Sequence, residues 1–266
     1  MITNYHTHSV FCDGDNTPEE IVCAAIEQGF SAIGFSGHGY TDFDSSYCMQ
    51  DTAGYIAEVK RLKEKYKNKI QVYLGVEEDA HCLVNRADFD YIIGSLHYTR
   101  KDGKRYPIDS DYECFKTCLE LWNGDVLGFA EEYYSFFCDY ILKRRPDIIG
   151  HFDLITKFDE MDTSLFFAND EYNRIAEKYI KIALQSGCIF EVNTGAISRG
   201  YRKTPYPNEN LLRVIKNNGG RVILSSDSHS VNTLAFGFEQ ARTLLKDVGF
   251  KEIYTLSGNG FVKEYL

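Results

Sequence analysis

The chain opens on Asn4-Tyr5-His6-Thr7-His8-Ser9-Val10-Phe11-Cys12-Asp13-Gly14, which places two of its seven histidines two residues apart. On an extended segment, a period of two turns His6 and His8 to one face, so both imidazoles converge on a single point. A divalent metal ion can take both nitrogens there. The remaining histidines follow a pattern. Apart from His81, each stands just beyond a short apolar run: His38 after 32–35, His97 after 91–95, His151 after 148–150 and His229 after 222–225. Carboxylates keep them company, with Asp13 after the first run, Glu77 after 70–74 and Asp227 after the last.

Imidazole nitrogen and carboxylate oxygen together hold borderline and hard divalent ions, and a carboxylate can bridge two ions where imidazole cannot. Six histidines and three carboxylates make nine donors, too many for one ion. At three or four protein ligands each, with Glu77 bridging, they suit a cluster of two to three metals that leaves positions open for water and substrate. Zinc, manganese and iron all accept such a donor set. His81 is left over, and reads as a surface or supporting residue.

The elements that must position these groups are legible as well. Seven short runs rich in Val, Ile, Phe and Tyr (2–5, 32–35, 70–74, 91–95, 148–150, 189–192 and 222–225) alternate with helical patterns, the rhythm of βα units on a parallel sheet. In an α/β barrel the site forms at the C-terminal ends of the strands, because the βα loops emerge there. That is where the nine donors fall. Thr17-Pro18-Glu19-Glu20 reads as a capping box with proline at the first helical position, and the helix it starts ends at Gly29. Further helical patterns occupy 53–66, 171–185 and 210–218. The stretch 98–147 is longer than one βα connection needs, and predicts a helical insertion beside the site that opens on a polar loop over 99–105. The length fits one domain over 1–266.

Composition excludes several function classes. With 26% charged residues, 44% hydrophobic ones and no apolar run of membrane-spanning length, the chain reads as globular and soluble, with no membrane partner. The first residues lack the basic, apolar and small-residue zones of a secretory signal. Eight cysteines are scattered without a Cys-x-x-Cys pair, which predicts reduced thiols and a cytoplasmic location. A formal net charge of −10 argues against a long nucleic acid as partner and for a small molecule.

In order along the chain, His6-x-His8, Asp13, His38, Glu77, Ser95-Leu96-His97, Gly150-His151 and Ser226-Asp227-Ser228-His229 resemble the motifs of the polymerase and histidinol phosphatase (PHP) superfamily. The resemblance spans nearly the whole chain. It implies a distorted, TIM-like seven-stranded (β/α) barrel with a trinuclear metal centre. The first ion would take His6, His8, Glu77 and Asp227, the second Glu77, His97 and His151, and the third Asp13, His38 and His229. Segments 150–158 and 193–207 are similar to the corresponding loops of stand-alone histidinol-phosphate phosphatases, which implies hydrolysis of L-histidinol phosphate in histidine biosynthesis.

Residue chemistry points the same way. Arg199, Arg202 and Lys203 stand in the one loop whose strand offers no metal ligand, within an acidic protein. Arg199 can give a phosphate two parallel hydrogen bonds, Arg202 can add a third contact, and Lys157 supplies a point charge from the preceding loop. The expected chemistry is metal-assisted hydrolysis of a phosphate monoester with no covalent enzyme intermediate, and Asp227 or His229 as candidate proton donors to the leaving oxygen. Tyr133, Tyr134 and the pair Glu131-Glu132 are candidates for the substrate's imidazole and amine, although packing is the stronger reading for the tyrosines. Two rivals stand beside this function: a nucleotidase or short-oligonucleotide phosphoesterase of the same superfamily, and a non-catalytic metal-binding regulator.

Overall fold

Apolar runs become strands and capped amphipathic stretches become helices, in alternation. The computed structural model describes residues 1–160, 165–258 and 260–266. Its strands in chain order are β1 (Thr3–Asn4), β2 (Ala32–Phe35), β3 (Gln71–Asp79), β4 (Tyr91–Ser95), β5 (Tyr98–Lys101), β6 (Lys104–Pro107), β7 (Ile148–Ile149), β8 (Ile189–Asn193), β9 (Arg221–Ser225), β10 (Glu252–Ser257) and β11 (Gly260–Tyr265). The helices are α1 (Pro18–Glu27), α2 (Thr52–Tyr66), α3 (Tyr112–Leu121), α4 (Val126–Arg144), α5 (Asp170–Ala183), α6 (Gly195–Ser198), α7 (Glu209–Asn217) and α8 (Phe238–Val248). Side-chain caps start most of the long ones: Thr17 with its capping box for α1, Asp51 for α2, Asn169 for α5 and Asn208 for α7.

One sheet takes the order β1-β2-β3-β4-β7-β8-β9-β10-β11, parallel throughout except for the final antiparallel strand. All seven apolar runs lie in it. It carries β10 and β11 besides, so it has nine strands where the sequence suggests seven. The sheet curls: the segments that leave β1 and β9 meet, with the Ser228 N–H donating to His6 O at 3.1 Å and the His8 N–H to Ser228 O at 2.8 Å. Inside the curl pack Tyr5, Tyr73, Tyr91, Ile93, Ile148, Ile189 and Ile223. Tyr91 Oη donates to Tyr5 O at 2.5 Å, and a Cβ on Gly75 would lie 2.2 Å from the Tyr91 ring, so only glycine admits that ring.

Helices α1 and α2 cover β2 and β3 through Ile21, Val22, Val59 and Leu62, while α4, α5, α7 and α8 share the larger cluster on the rest of the sheet. Each such buried aliphatic side chain contributes roughly 2 kcal/mol. The stretch 98–147 holds α3 and α4, and 99–105 within it is not the loop its polar composition suggests. It belongs to a hairpin of β5 and β6 that turns at Asp102-Gly103 with φ of 49° and 77°. An Asp-Gly pair at positive φ is the chemistry of a two-residue hairpin turn, and that signal outweighs the polar composition. The end of α4 is clamped to the sheet by Arg144, whose Nε and Nη2 donate to the buried Glu78 at 2.8 and 2.7 Å, with Tyr140 Oη adding a bond of 2.6 Å. Among the described residues, no helix is long and apolar enough to cross a membrane.

Candidate metal centre

The period-two argument holds in three dimensions. His6 and His8 turn to one face with ring centroids 5.2 Å apart, while Thr7 between them donates its N–H to Ser36 Oγ at 3.0 Å and accepts from Asn4 Nδ2 at Oγ1 at 3.1 Å. Glu77 lies inside β3 rather than after it. That strand runs on to Asp79 because its first half pairs with β2 and its second half with β4. Three consecutive acids resemble a loop in sequence, but each is itself buried and finds a partner: Glu77 among imidazoles, Glu78 on Arg144 and Asp79 on His97.

Five imidazoles surround the Glu77 carboxylate. Oε2 lies 3.0 Å from His38 Nδ1, 3.2 Å from His6 Nε2 and 3.6 Å from His8 Nε2. Oε1 lies 2.9 Å from His151 Nε2 and 3.3 Å from His97 Nε2, and accepts from Ser95 Oγ at 2.6 Å. Asp227 Oδ1 closes the opposite side at 3.2 Å from His8 Nε2 and 3.6 Å from His6 Nε2. Asp13 sits between His38, His229 and His8, at 3.6, 3.3 and 3.5 Å. All nine predicted donors are thus brought together. Asp227 carries a φ of 49°, a left-handed backbone that is tolerable for Asp and typical of a side chain aimed for function.

Among the described residues, several of these buried atoms have no hydrogen-bond partner: His6 Nε2, His8 Nε2, Glu77 Oε2 and His151 Nδ1. An unpaired buried polar group costs about 1 to 3 kcal/mol, and a metal ion would satisfy the three that face one another. Among the described residues, three groups have donor atoms near enough to hold an ion: His8 with Asp13, His38 and His229; His6 with His8 and Glu77; and His38 with Glu77 and His97. The division differs from the one implied by resemblance, since His38 joins Glu77 and His97, the place expected for His151.

Electrostatics suit ligation. Burial pushes Glu77 up, but the facing His6, His38 and His97 outweigh it and hold the carboxyl well below its usual range. Asp227 is held down likewise, against burial, by Arg199 and His6. Burial, helped by His229 and His38, lowers His8, which leaves its lone pair free. His38, despite burial, is raised to about 10 by Asp13 and Glu77. His6 and His97 are likewise raised against burial, by Glu191 and by Glu77, and since ionised carboxylates and neutral imidazoles are the forms a metal takes, an ion would displace one proton each from His6, His38 and His97.

Seven of the nine donors, all but His6 and His8, line a cavity of about 380 Å³ that is also lined by Arg199, Lys157, Tyr47, Tyr98, Asp44, Asp109 and Tyr201. Arg199 Nη1 donates to Asp227 O and Nη2 to Asp227 Oδ2, both at 3.0 Å, which uses part of its five-donor fork. A Cβ on Gly195 would lie 2.8 Å from Arg199 Nη2 and from Asp227 Oδ2, so glycine is required where these two meet. Lys157 Nζ donates to Asp109 O at 2.5 Å at the cavity wall.

Arg202 is elsewhere. Its buried guanidinium donates to Thr156 Oγ1 at 3.1 Å and Pro205 O at 3.2 Å, lies 3.7 Å from Asp153 and stacks 4.2 Å over the Tyr206 ring. It braces the loop instead of lining the cavity, because Gly200 at φ 76° reverses the chain between the two arginines. Arg202→Ala is therefore expected to lose roughly 3 to 5 kcal/mol of folding stability in urea unfolding. Unchanged stability with a raised KM would return Arg202 to the site. Lys203 engages Glu160 only through its backbone N–H. Tyr133 and Tyr134 are core residues, Glu131 pairs with Lys178 and Glu132 accepts from Trp122 Nε1, so none of the four lines the cavity.

His81 stands apart, with Nε2 3.0 Å from Tyr98 O and its ring stacked 4.6 Å from Phe136. His81→Ala should keep metal content and turnover within about twofold of the unmodified protein, by metal analysis and steady-state kinetics. A loss as large as that of His97→Ala would put His81 among the ligands.

Three side chains at the site escaped the sequence reading. Glu191 Oε1 lies 2.5 Å from His6 Nδ1, Asn193 Nδ2 reaches Asp227 Oδ2 at 3.4 Å, and Asp79 Oδ2 lies 3.3 Å from His97 Nδ1. The available signal was a polar residue at every second position of an apolar strand, Glu191 and Asn193 in Ile189-Phe190-Glu191-Val192-Asn193.

Residues 4–195 match the family model of the PHP domain. The chain is 28% identical to a Schizosaccharomyces pombe protein named "Probable histidinol-phosphatase", over 98% of this chain and 93% of that one. It is likewise 28% identical to the histidinol-phosphatase of Lactococcus lactis subsp. lactis, over 96% and 94%. The fold superposes on the crystal structure of the L. lactis histidinol phosphate phosphatase complexed with zinc, L-histidinol and phosphate, with a TM-score of 0.74, 24% identity and 98% of each chain covered.

Proposed function

The chain belongs to the PHP domain family, and from that premise we propose that it is a metal-dependent phosphomonoester hydrolase that converts L-histidinol phosphate and water to L-histidinol and phosphate, a step of histidine biosynthesis. The observation that carries this reading is the Glu77 carboxylate amid five imidazoles, opening onto a cavity that presents Arg199 and Lys157. We read β1 to β4 with β7 to β9 as a distorted seven-stranded barrel, in a single domain over 1–266 with 98–147 as its helical insertion. Eight free cysteines are compatible with a reducing compartment, and we place the enzyme in the cytoplasm.

His6, His8, Glu77, Asp227, His97, His151, Asp13, His38 and His229 would hold two to three ions of zinc, manganese or iron. Divalent ions held there supply Lewis acidity and make water nucleophilic near neutral pH. Arg199 binds and orients the phosphoryl group with its planar fork, and Lys157 adds a second positive charge as negative charge redistributes over the oxygens. Of the two candidate proton donors, Asp227 is committed to Arg199 and two imidazoles. His229, with 26% of its side chain exposed at the cavity wall, has the more open position of the two, and it would serve as proton donor only in the form in which its Nε2 is not given to a metal ion.

Purified protein with added metal, offered L-histidinol phosphate, a nucleoside monophosphate and a short oligonucleotide, tests the substrate. Preferred release of phosphate from L-histidinol phosphate is expected. Preference for a nucleotide would transfer the protein to the nucleotidase reading, and inertness toward all three to the regulator reading.

A further inference from the structure

Strand β8 contributes none of the nine candidate ligands, yet its two inward polar side chains touch three of them. Glu191 and Asn193 are two residues apart and wholly buried. Glu191 grips His6 by the ring, through Oε1 and Nδ1 at 2.5 Å, and His151 by the backbone, whose N–H donates to Oε2 at 2.9 Å. Asn193 Nδ2 donates to the same Oε2 at 2.9 Å and to Asp227 Oδ2 at 3.4 Å, while its Oδ1 accepts from Gly195 N–H at 2.8 Å. Each Glu191 oxygen is thus engaged.

An ionised carboxylate only accepts, so the proton in the His6–Glu191 contact belongs to Nδ1. With Nδ1 holding that proton, Nε2 is the nitrogen left to give its lone pair to a metal ion between Glu77 and Asp227, and it is the His6 atom without a hydrogen-bond partner among the described residues. Asp79 and His97 repeat the arrangement, with Nδ1 on the carboxylate and Nε2 on Glu77. We propose that Glu191 is a positioning residue that holds the proton of His6 on Nδ1, presenting Nε2 to a metal ion, and that through its other oxygen it sets the backbone of His151 in register with it. The proposal rests on the reading of His6 and Glu77 as metal ligands, but not on which substrate is hydrolysed.

Glutamine fills the same volume with one acceptor and one NH₂ group. Three donors converge on Glu191, so an amide satisfies one side only. With its oxygen toward His151 and Asn193, its NH₂ would face His6 Nδ1 and move the imidazole proton to Nε2, the nitrogen needed for metal.

Zinc affinity, measured by competition with a chromophoric chelator, should fall by about tenfold to a hundredfold in Glu191→Gln. A purely structural role would instead lower the unfolding midpoint of the metal-free protein and leave zinc affinity alone, and an affinity within twofold of the unmodified protein overturns the proposal. The unmodified protein gives a second measurement in case the variant does not fold. In ¹⁵N-histidine spectra of the zinc-loaded protein, His6 should carry its proton on Nδ1 and its metal on Nε2, and the reverse assignment overturns the proposal. Phosphatase assays run in parallel keep the two questions apart, because failure to hydrolyse L-histidinol phosphate would leave the zinc comparison standing.

Discussion

Glu77→Gln is expected to leave the protein with little bound metal and to lower kcat/KM on the order of a thousandfold, about 4 kcal/mol of transition-state stabilisation. The reason is the position of Glu77, which no terminal ligand shares. Both carboxylate oxygens face imidazole nitrogens, two on one side and three on the other, within 3.6 Å. Glutamine keeps the volume, removes the charge that neighbouring ions would share, and turns an NH₂ group toward imidazoles that have lone pairs committed to metal. His229→Ala removes one ligand from the rim, where the side chain is 26% exposed, and should cost less of both metal and activity. Elemental analysis and steady-state kinetics on the two variants make the comparison. A Glu77→Gln protein that keeps its metal, or that outperforms His229→Ala, would remove the bridging role.

Arg199→Ala is expected to lower kcat/KM by about thirty-fold to several hundred-fold at saturating metal, the equivalent of about 2 to 4 kcal/mol. Part of its grip on phosphate is shared by substrate and transition state, and part tightens only as the phosphoryl group reorganises, so both KM and kcat should move. Saturating metal matters, because Nη2 also donates to Asp227 Oδ2 at 3.0 Å and the substitution removes a cation from beside a candidate ligand. Arg199→Lys should recover only a fraction, since an ammonium cannot reproduce the planar fork. Steady-state kinetics with L-histidinol phosphate check this, and wild-type kcat/KM in Arg199→Ala would exclude the loop from substrate binding.

Much of the candidate centre is legible in the sequence, because strand ends and histidine positions coincide and because alternation is a strict rule on an extended chain. His6-x-His8 is the clearest case. What escaped is what depends on partners distant along the chain. Glu191 sits mid-strand among apolar residues, and only the fold reveals that His6, 185 positions away, is its partner. The 74–79 boundary of β3 failed for a related reason: three acids look like a loop until His97, Arg144 and the imidazoles around Glu77 are in place. Arg199 and Arg202 look equivalent by spacing, yet a reversal at Gly200 sends one to the cavity and the other to Asp153 and Tyr206. In the fold, β10 and β11 extend the sheet past the run that completes the ligand pattern, and nothing in that pattern demands them. The hairpin of β5 and β6 is encoded in Asp102-Gly103, a turn signal that the surrounding charges mask.

The most direct measurement is the release of inorganic phosphate from L-histidinol phosphate by the purified protein, first stripped of metal by a chelator and then reloaded with zinc, manganese or iron. The stripped protein should be inactive, and activity should return as two to three ions bind per chain, a range set by nine donors at three to four per ion. Undiminished phosphate release by the stripped protein, or none after full reloading, would contradict metal-dependent hydrolysis of this substrate.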